Sequence, residues 1–314
     1  MQSEQEAVLQ EKARIIVVGE LLVDIFPDYQ RIGGAPFNFA YHLKNFGFPV
    51  RFISRIGRDA YGDEILAMLN RNSFSTTDIQ EDPKHPTGQV HVAFDRDGQP
   101  QFDIMPDAAF DNIDFNACLP IETPLSMVYF GTLIQRTEDG CARLQAFLDQ
   151  LDPGVPCFYD INLRPGTRQP EVVEYSLKKA DIVKLNAEEL DYLCREMLQT
   201  EERSEAAVFS LMSQYNIRAL CLTRGSEGSE LFLDSHEHFS VSASNVDPIV
   251  DTVGAGDAYA AVLALGYLRG WHPERILSVA TMFSASICRI EGAVPEDPAF
   301  YQHLRNMIED DGNG

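Results

Sequence analysis

Positive charge is scarce in this chain: among 314 residues, lysine and arginine number 25 against 48 aspartates and glutamates, giving a formal net charge of −23. A field of that sign repels phosphate backbones and anionic headgroups, so nucleic acid and membrane surfaces are poor partners. Tryptophan occurs once, and no apolar run reaches membrane-spanning length, which argues against a chain embedded in a bilayer. The six cysteines, Cys118, Cys141, Cys157, Cys194, Cys221 and Cys288, are widely spaced and form no C-x-x-C pair. Buried free thiols are expected, not disulfides. No basic stretch followed by an apolar one opens the sequence, so no export signal is expected and the expected location is the cytoplasm. Low-complexity linkers and fixed-period repeats are also missing. That leaves one domain over residues 14–310, between a flexible extension at 1–13 and a solvated tail at 311–314.

What is present is a rhythm. Short β-branched runs at 15–18, 50–54, 127–130, 157–160, 182–185 and 220–223 alternate with amphipathic helical patterns at 37–45, 59–70, 141–150, 171–179, 188–194 and 206–215. The strands are apolar on both faces, so the expected fold is α/β, a mainly parallel central sheet covered by helices in three layers. One region departs from it. Residues 89–94 and 101–104 alternate apolar and polar around Asp95-Arg96-Asp97-Gly98, as an antiparallel hairpin with one wet face would. With the stretch 22–26 they suggest a small β lid, built from segments near 22–34 and 88–107, over the strand ends where α/β ligands bind.

The segment Asp251-Thr252-Val253-Gly254-Ala255-Gly256-Asp257-Ala258 runs into a strongly helical stretch, so a helix starts at a glycine turn. With almost no side chain at Gly254, Ala255 and Gly256, backbone N–H groups and the helix N-terminus can hold an anion, a phosphate above all. A carboxylate beside such a hole repels the ligand unless it takes a proton from an attacking hydroxyl, which is what a phosphoryl acceptor requires. Asp257 therefore reads either as a general base or as an acid complementing the helix dipole.

This segment resembles the C-terminal signature of the PfkB, or ribokinase-like, carbohydrate kinases, and the resemblance spans nearly the whole chain. Gly33-Gly34-Ala35-Pro36-Phe37-Asn38-Phe39-Ala40, with Ser54-Arg55-Ile56-Gly57 after it, resembles the N-terminal signature. Further matches are Gly19-Glu20-Leu21-Leu22-Val23-Asp24, Asp160-Ile161-Asn162-Leu163-Arg164, Lys184-Leu185-Asn186 with Glu189, and Thr223-Arg224-Gly225 with Gly228. The resemblance implies a ribokinase-like fold and an ATP-dependent kinase with Asp257 as general base and Gly254, Ala255 and Gly256 as donors to the moving phosphoryl group. It implies that Asp24, Gly33, Gly34, Asn38 and Arg164 bind the sugar, and that Asn186, Thr223, Gly225 and Gly228 line the ATP site. It further implies that Glu189 serves Mg²⁺ through water, and that Asp251 stands near a monovalent cation, potassium, held largely by backbone carbonyls near Asp251, Val253 and Gly292.

Plainer readings exist for each. Asp24 can cap a turn, Gly33-Gly34 can be a bend, Asn38 can be an exposed helix position, and Asn186 with Glu189 can be a helix N-cap and capping box. D-x-N-x-R at 160–164, GELLVD and GGAPFNFAYHL resemble fructokinases, which makes D-fructose the expected acceptor. The alternatives are 2-keto-3-deoxygluconate, ribose or a nucleoside as acceptor, and a sugar- or nucleotide-binding regulator without turnover. Phe37 is expected in the core and not in the acceptor pocket. His236 and His238, two apart, are expected as exposed residues sharing a face of an edge strand, and a homodimer through the lid is expected from relatives.

Overall fold

The computed structural model describes residues 14–94, 100–118, 124–164, 167, 169–244 and 247–310. The extension 1–13, the tail 311–314 and the hairpin turn at 95–98 lie outside the described residues. The chain runs β1 (Ile15–Val18), β2 (Leu22–Ile25), β3 (Gln30–Gly33), α1 (Ala35–Asn45), β4 (Val50–Gly57), α2 (Ala60–Arg71), β5 (Ile79–Asp82), β6 (Gly88–Phe94) and β7 (Pro100–Ile104). It continues through β8 (Met127–Gly131), α3 (Glu138–Asp149), β9 (Cys157–Asp160), α4 (Pro170–Lys179), β10 (Ile182–Asn186), α5 (Ala187–Glu196), α6 (Glu205–Tyr215) and β11 (Ala219–Thr223). It closes with β12 (Ser229–Leu233), β13 (His238–Val241), α7 (Ala255–Arg269), α8 (Pro273–Ile287) and α9 (Gln302–Asp310).

Nine strands form one sheet in the order β13-β12-β11-β10-β9-β8-β1-β4-β5, parallel from β11 through β5, with β12 and β13 added antiparallel at one edge. Strand alternation sorts the core into two layers. Ile15 and Val17 of β1 pack toward α1, α7 and α8, whereas Ile16 and Val18 pack toward α3 to α6. The expected α/β/α layering is thus present. Four strands in the order β3-β2-β6-β7 make a second, smaller sheet from the two segments expected to form a lid.

Local chemistry fixes the helix starts. Asp59, Thr137 and Ser204 cap α2, α3 and α6 by accepting from the backbone N–H groups of Gly62, Gly140 and Ala207. Helix α7 is apolar all round, buried from Ala258 through Gly266 and in contact with both α1 and α8. A helix buried on every side has little freedom to move, so the turn that starts it is held rigidly.

Several expectations need correction. Strands β5 and β12 and helices α8 and α9 lie outside the expected elements: β5 is a four-residue edge strand, and α8 and α9 follow loops with no preceding strand, whereas β13 is the edge strand expected around His238. His236 lies in the turn before β13 with φ of +66°, so it does not share a strand face with His238. His238 is exposed as expected, with its ring stacked on Phe232 and its Nε2 2.9 Å from Glu230. Phe37 is 1 % exposed and meets Tyr41, Phe52 and Phe74, as a core residue does. All six cysteines are free, three buried and three half-buried. Among the described residues no helix is long and apolar enough to cross a membrane.

Candidate active site

The C-terminal ends of the parallel strands gather a group of buried and half-buried polar residues. Asp160, Asn186 and Thr223 are the last residues of β9, β10 and β11, and register pairs Lys184 with Asp160 and Asn186 with Thr223. Beside them, the Gly254 turn delivers α7. Gly254 has φ of +76°, and a Cβ there would stand 2.3 Å from the Ala293 Cβ, so both conformation and space demand glycine.

Asp257 is the third residue of α7. Asn38, in the first turn of α1, donates from Nδ2 to Asp257 Oδ2 at 2.8 Å, bridging positions 219 apart in sequence. Burial pushes the Asp257 carboxyl up to about 6; the Asn38 hydrogen bond and the charges of Lys184 and Arg164 pull against this rise, while Asp160 adds to it. Asn38 is itself 4 % exposed, and its Oδ1 has no partner. The plainer reading of Asn38 as an exposed helix position is thereby set aside.

Asp24, on β2, is also pushed up to about 6 by burial, opposed by Arg164 and Arg31 and reinforced by Asp257. Gly33 faces it across the β2–β3 pair: a Cβ at Gly33 would come within 2.8 Å of Asp24 Oδ2. Gly34 has φ of +114°, and a Cβ there would lie 2.6 Å from the Glu20 carbonyl oxygen. The charge of Arg164, in the loop after β9, acts on Glu20, Asp24 and Asp257 together.

Glu20 was quoted in a motif but given no role. It is 4 % exposed, its Oε2 lacks a partner, and burial pushes its carboxyl up to about 7. Lys184 was overlooked in the same way. Its Nζ donates to Asp160 at 3.0 and 3.2 Å, the Tyr129 hydroxyl donates to the same carboxylate, and Nζ lies 3.5 Å from where a Cβ on Gly256 would stand. Burial alone would lower the pKa of the Lys184 ammonium, yet Asp160, Glu189 and Asp257 hold it above its ordinary value. A buried lysine in the middle of an apolar strand is itself a sequence signal, because such a charge needs a partner.

The residues expected to line the nucleotide are organised by caps and tight turns. Asn186 and Glu189 form a reciprocal capping box at the start of α5, and the second Glu189 oxygen accepts from Leu163 N–H at 2.9 Å. Thr223 donates its hydroxyl to the Leu185 carbonyl at 3.3 Å. Gly225 has φ of +54° with open space above it, whereas a Cβ on Gly228 would meet the Val241 carbonyl at 2.0 Å, so Gly228 admits β13.

For magnesium the donor set is sparse: among the described residues no cluster of three His, Cys, Asp or Glu could hold a metal. An ionised carboxylate has about four lone-pair sites, so Glu189, with one bond on each oxygen, retains acceptors for a metal-bound water. That fits an ion brought in on the nucleotide. Asp251 fits a monovalent cation poorly. Its Oδ1 accepts from Val253 N–H at 3.0 Å, its Oδ2 accepts from Gly292 N–H at 3.0 Å, and Arg31 Nη1 already lies 3.5 Å from that second oxygen.

Comparison with known proteins identifies the family. The model of the pfkB family carbohydrate kinases matches residues 14–299. A sugar kinase of Pyrococcus horikoshii is 28 % identical over 273 residues, 81 % of this chain and 83 % of the relative. Fructokinase-2 of Zea mays is 26 % identical over 312 residues, 90 % of this chain and 91 % of the relative. A crystal structure of the Pyrococcus sugar kinase in complex with ATP superposes with a TM-score of 0.78 at 25 % identity, covering 94 % of this chain and 99 % of that one. The chain belongs to the pfkB family of carbohydrate kinases and is a phosphotransferase with an alcohol group as acceptor.

Proposed function

We propose that this sugar kinase transfers the γ-phosphoryl group of ATP to a hydroxyl of a neutral sugar, D-fructose first among candidates, with Asp257 as general base. The observation that carries the reading is the Asn38–Asp257 hydrogen bond, which joins the helix behind the glycine pair to the helix behind the phosphate turn. Asn38 occupies Oδ2, so Oδ1 is the oxygen that accepts the sugar's proton. With its carboxyl at about 6, Asp257 is mostly ionised at neutral pH and a better base than an ordinary aspartate. The N–H groups at Gly254, Ala255 and Gly256 and the Lys184 ammonium beside Gly256 supply positive potential for the transferring group. Asp24, Gly33, Gly34 and Asn38 grip the sugar, with Arg164 over it. Asn186, Thr223, Gly225 and Gly228 line the nucleotide side. Magnesium, when bound with the nucleotide, neutralises phosphate charge, and Glu189 orients one of its waters.

A sugar acid such as 2-keto-3-deoxygluconate would need Arg164 for its carboxylate. Glu20, Asp24 and Asp257 already share that charge, which favours an uncharged acceptor. The test is ADP release with fructose, ribose and 2-keto-3-deoxygluconate, wild type against Asp257→Asn. Fructose should give the highest kcat/KM, and the variant should lose turnover; a wild type that no sugar stimulates points instead to a binding regulator. A cytoplasmic homodimer paired through the small sheet, where Tyr29 and Phe102 are exposed, completes the proposal, and sedimentation at micromolar concentration checks it.

A further inference from the structure

The small sheet reaches the phosphate turn through one residue that the kinase chemistry above does not use. Arg31 is the cross-strand partner of Asp24 in the β2–β3 pair, so both side chains leave the same face of that sheet. From there the guanidinium extends across to the main body. Its Nη1 lies 3.5 Å from Asp251 Oδ2, its Nη2 pairs with Glu291, and its carbon stands 4.8 Å from the centre of the Tyr29 ring, which stacks on Phe26. Gly292 is what lets it approach, since a Cβ there would be 2.8 Å from Nη1.

Asp251 is the residue that ties the loop leading into α7 to the loop after α8. It accepts from Val253 N–H and Gly292 N–H, and the backbone of 250–251 donates to the Cys288 carbonyl. Ala293, the neighbour of Gly292, is the residue that packs on Gly254. Arg31, Asp251, Gly292, Ala293 and Gly254 thus form a continuous path of contacts from the small sheet to the turn that holds phosphate.

We infer that Arg31 is a positioning residue that does the work of a bound monovalent cation: it supplies the positive charge beside Asp251 that shapes the phosphate turn, and it supplies it from the sugar-binding sheet. A free potassium ion on the same oxygen would face the half-buried guanidinium at close range, and two like charges at such a separation repel. A guanidinium cannot be deprotonated and holds its planar donors in place, so the charge is permanent. The sheet that carries Asp24 and the turn that carries Asp257 are thereby coupled by one ionic clasp. The inference rests on the sugar kinase reading for its kinetic consequence and on geometry alone for its structural one.

The experiment compares wild type, Arg31→Ala and Arg31→Lys in potassium chloride and in tetramethylammonium chloride at equal ionic strength, reading both Tm and sugar-dependent ADP release. Wild type should melt at the same temperature in both salts and turn over within about twofold. Without potassium, Arg31→Ala should lose about tenfold in kcat, the effect of removing one charge-assisted contact, while potassium raises its Tm and restores part of its turnover. Arg31→Lys should fall between the two and depend less on potassium. A wild type whose Tm and turnover rise with potassium overturns the inference without any substitution. So does a folded Arg31→Ala protein that gains neither melting temperature nor turnover from potassium. If no sugar stimulates even the wild type, the kinase reading fails, and the melting comparison still decides the role of Arg31.

Discussion

The two halves of the candidate site are built by different means. On the side proposed for the acceptor, Glu20 and Asn38 are buried and Asp24 and Asp257 half-buried, and burial pushes all three carboxyls up, to about 7, 6 and 6. On the nucleotide side, Asn186 and Glu189 spend their side chains on backbone N–H groups, and Gly225 and Gly228 contribute conformation. Selection of a sugar needs directed polar groups that pair with hydroxyls, whereas a polyphosphate is held adequately by backbone dipoles and a fixed charge. Burial raises the Glu189 carboxyl as well, but Lys184 and the N–H groups of Asn186 and Leu163 pull against that rise, so the desolvated charge on this side is matched by partners that Glu20 lacks.

That contrast can be broken most sharply at its centre. Asp257→Asn keeps the size of the group that meets Asn38 but removes the base, and kcat should fall by about 10²- to 10⁴-fold while Tm holds or rises. If turnover survives, the general base lies elsewhere. Lys184→Met strands the buried Asp160 carboxylate, which should cost about 3–5 kcal/mol in urea unfolding, along with most activity. The double variant with Asp160→Asn removes the stranded charge and should recover part of that loss; losses that simply add would count against the pair acting as a unit. Gly254→Ala places a Cβ on Ala293 and forces a left-handed residue, so a loss of about 1–3 kcal/mol is expected, with a raised KM for ATP.

The smallest effect is one of pH. Glu20, Asp24 and Asp257 have folded pKa values above their ordinary ones, so between about pH 4 and 7 the folded state binds more protons than the unfolded state. Stability should therefore fall as pH rises through that window and level off above it. Glu20→Gln should raise Tm at pH 8 and leave it unchanged near pH 4, while the kcat/KM profile for sugar keeps an acid limb near pH 6 set by Asp257. A variant whose Tm gain is the same at both pH values would show that desolvation of the Glu20 charge is not its source.

Much of this architecture was legible in the residues. Doubly apolar strands such as 15–18 and 127–130 announce a sheet covered on both faces, and a glycine turn before a long apolar helix announces an anion hole. Strands β5 and β12 are hard to read from sequence because short strands at or next to a sheet edge carry weak patterning. Glu20 and Lys184 were present in quoted motifs, but a charge in a strand or at its end reads as exposed until something covers it. Asn38 shows the same limit, since one helix position from a sequence reveals no partner 219 residues away.

The sequence by itself determined which backbone segments become strands, helices and the glycine turn, because those depend on neighbours a few residues apart. Only the tertiary structure decided that Asn38 reaches Asp257, that Lys184 holds Asp160, and that Arg31 crosses from the small sheet to Asp251. Each of these contacts joins charges or polar groups far apart along the chain, and their strength comes from the burial that folding alone supplies.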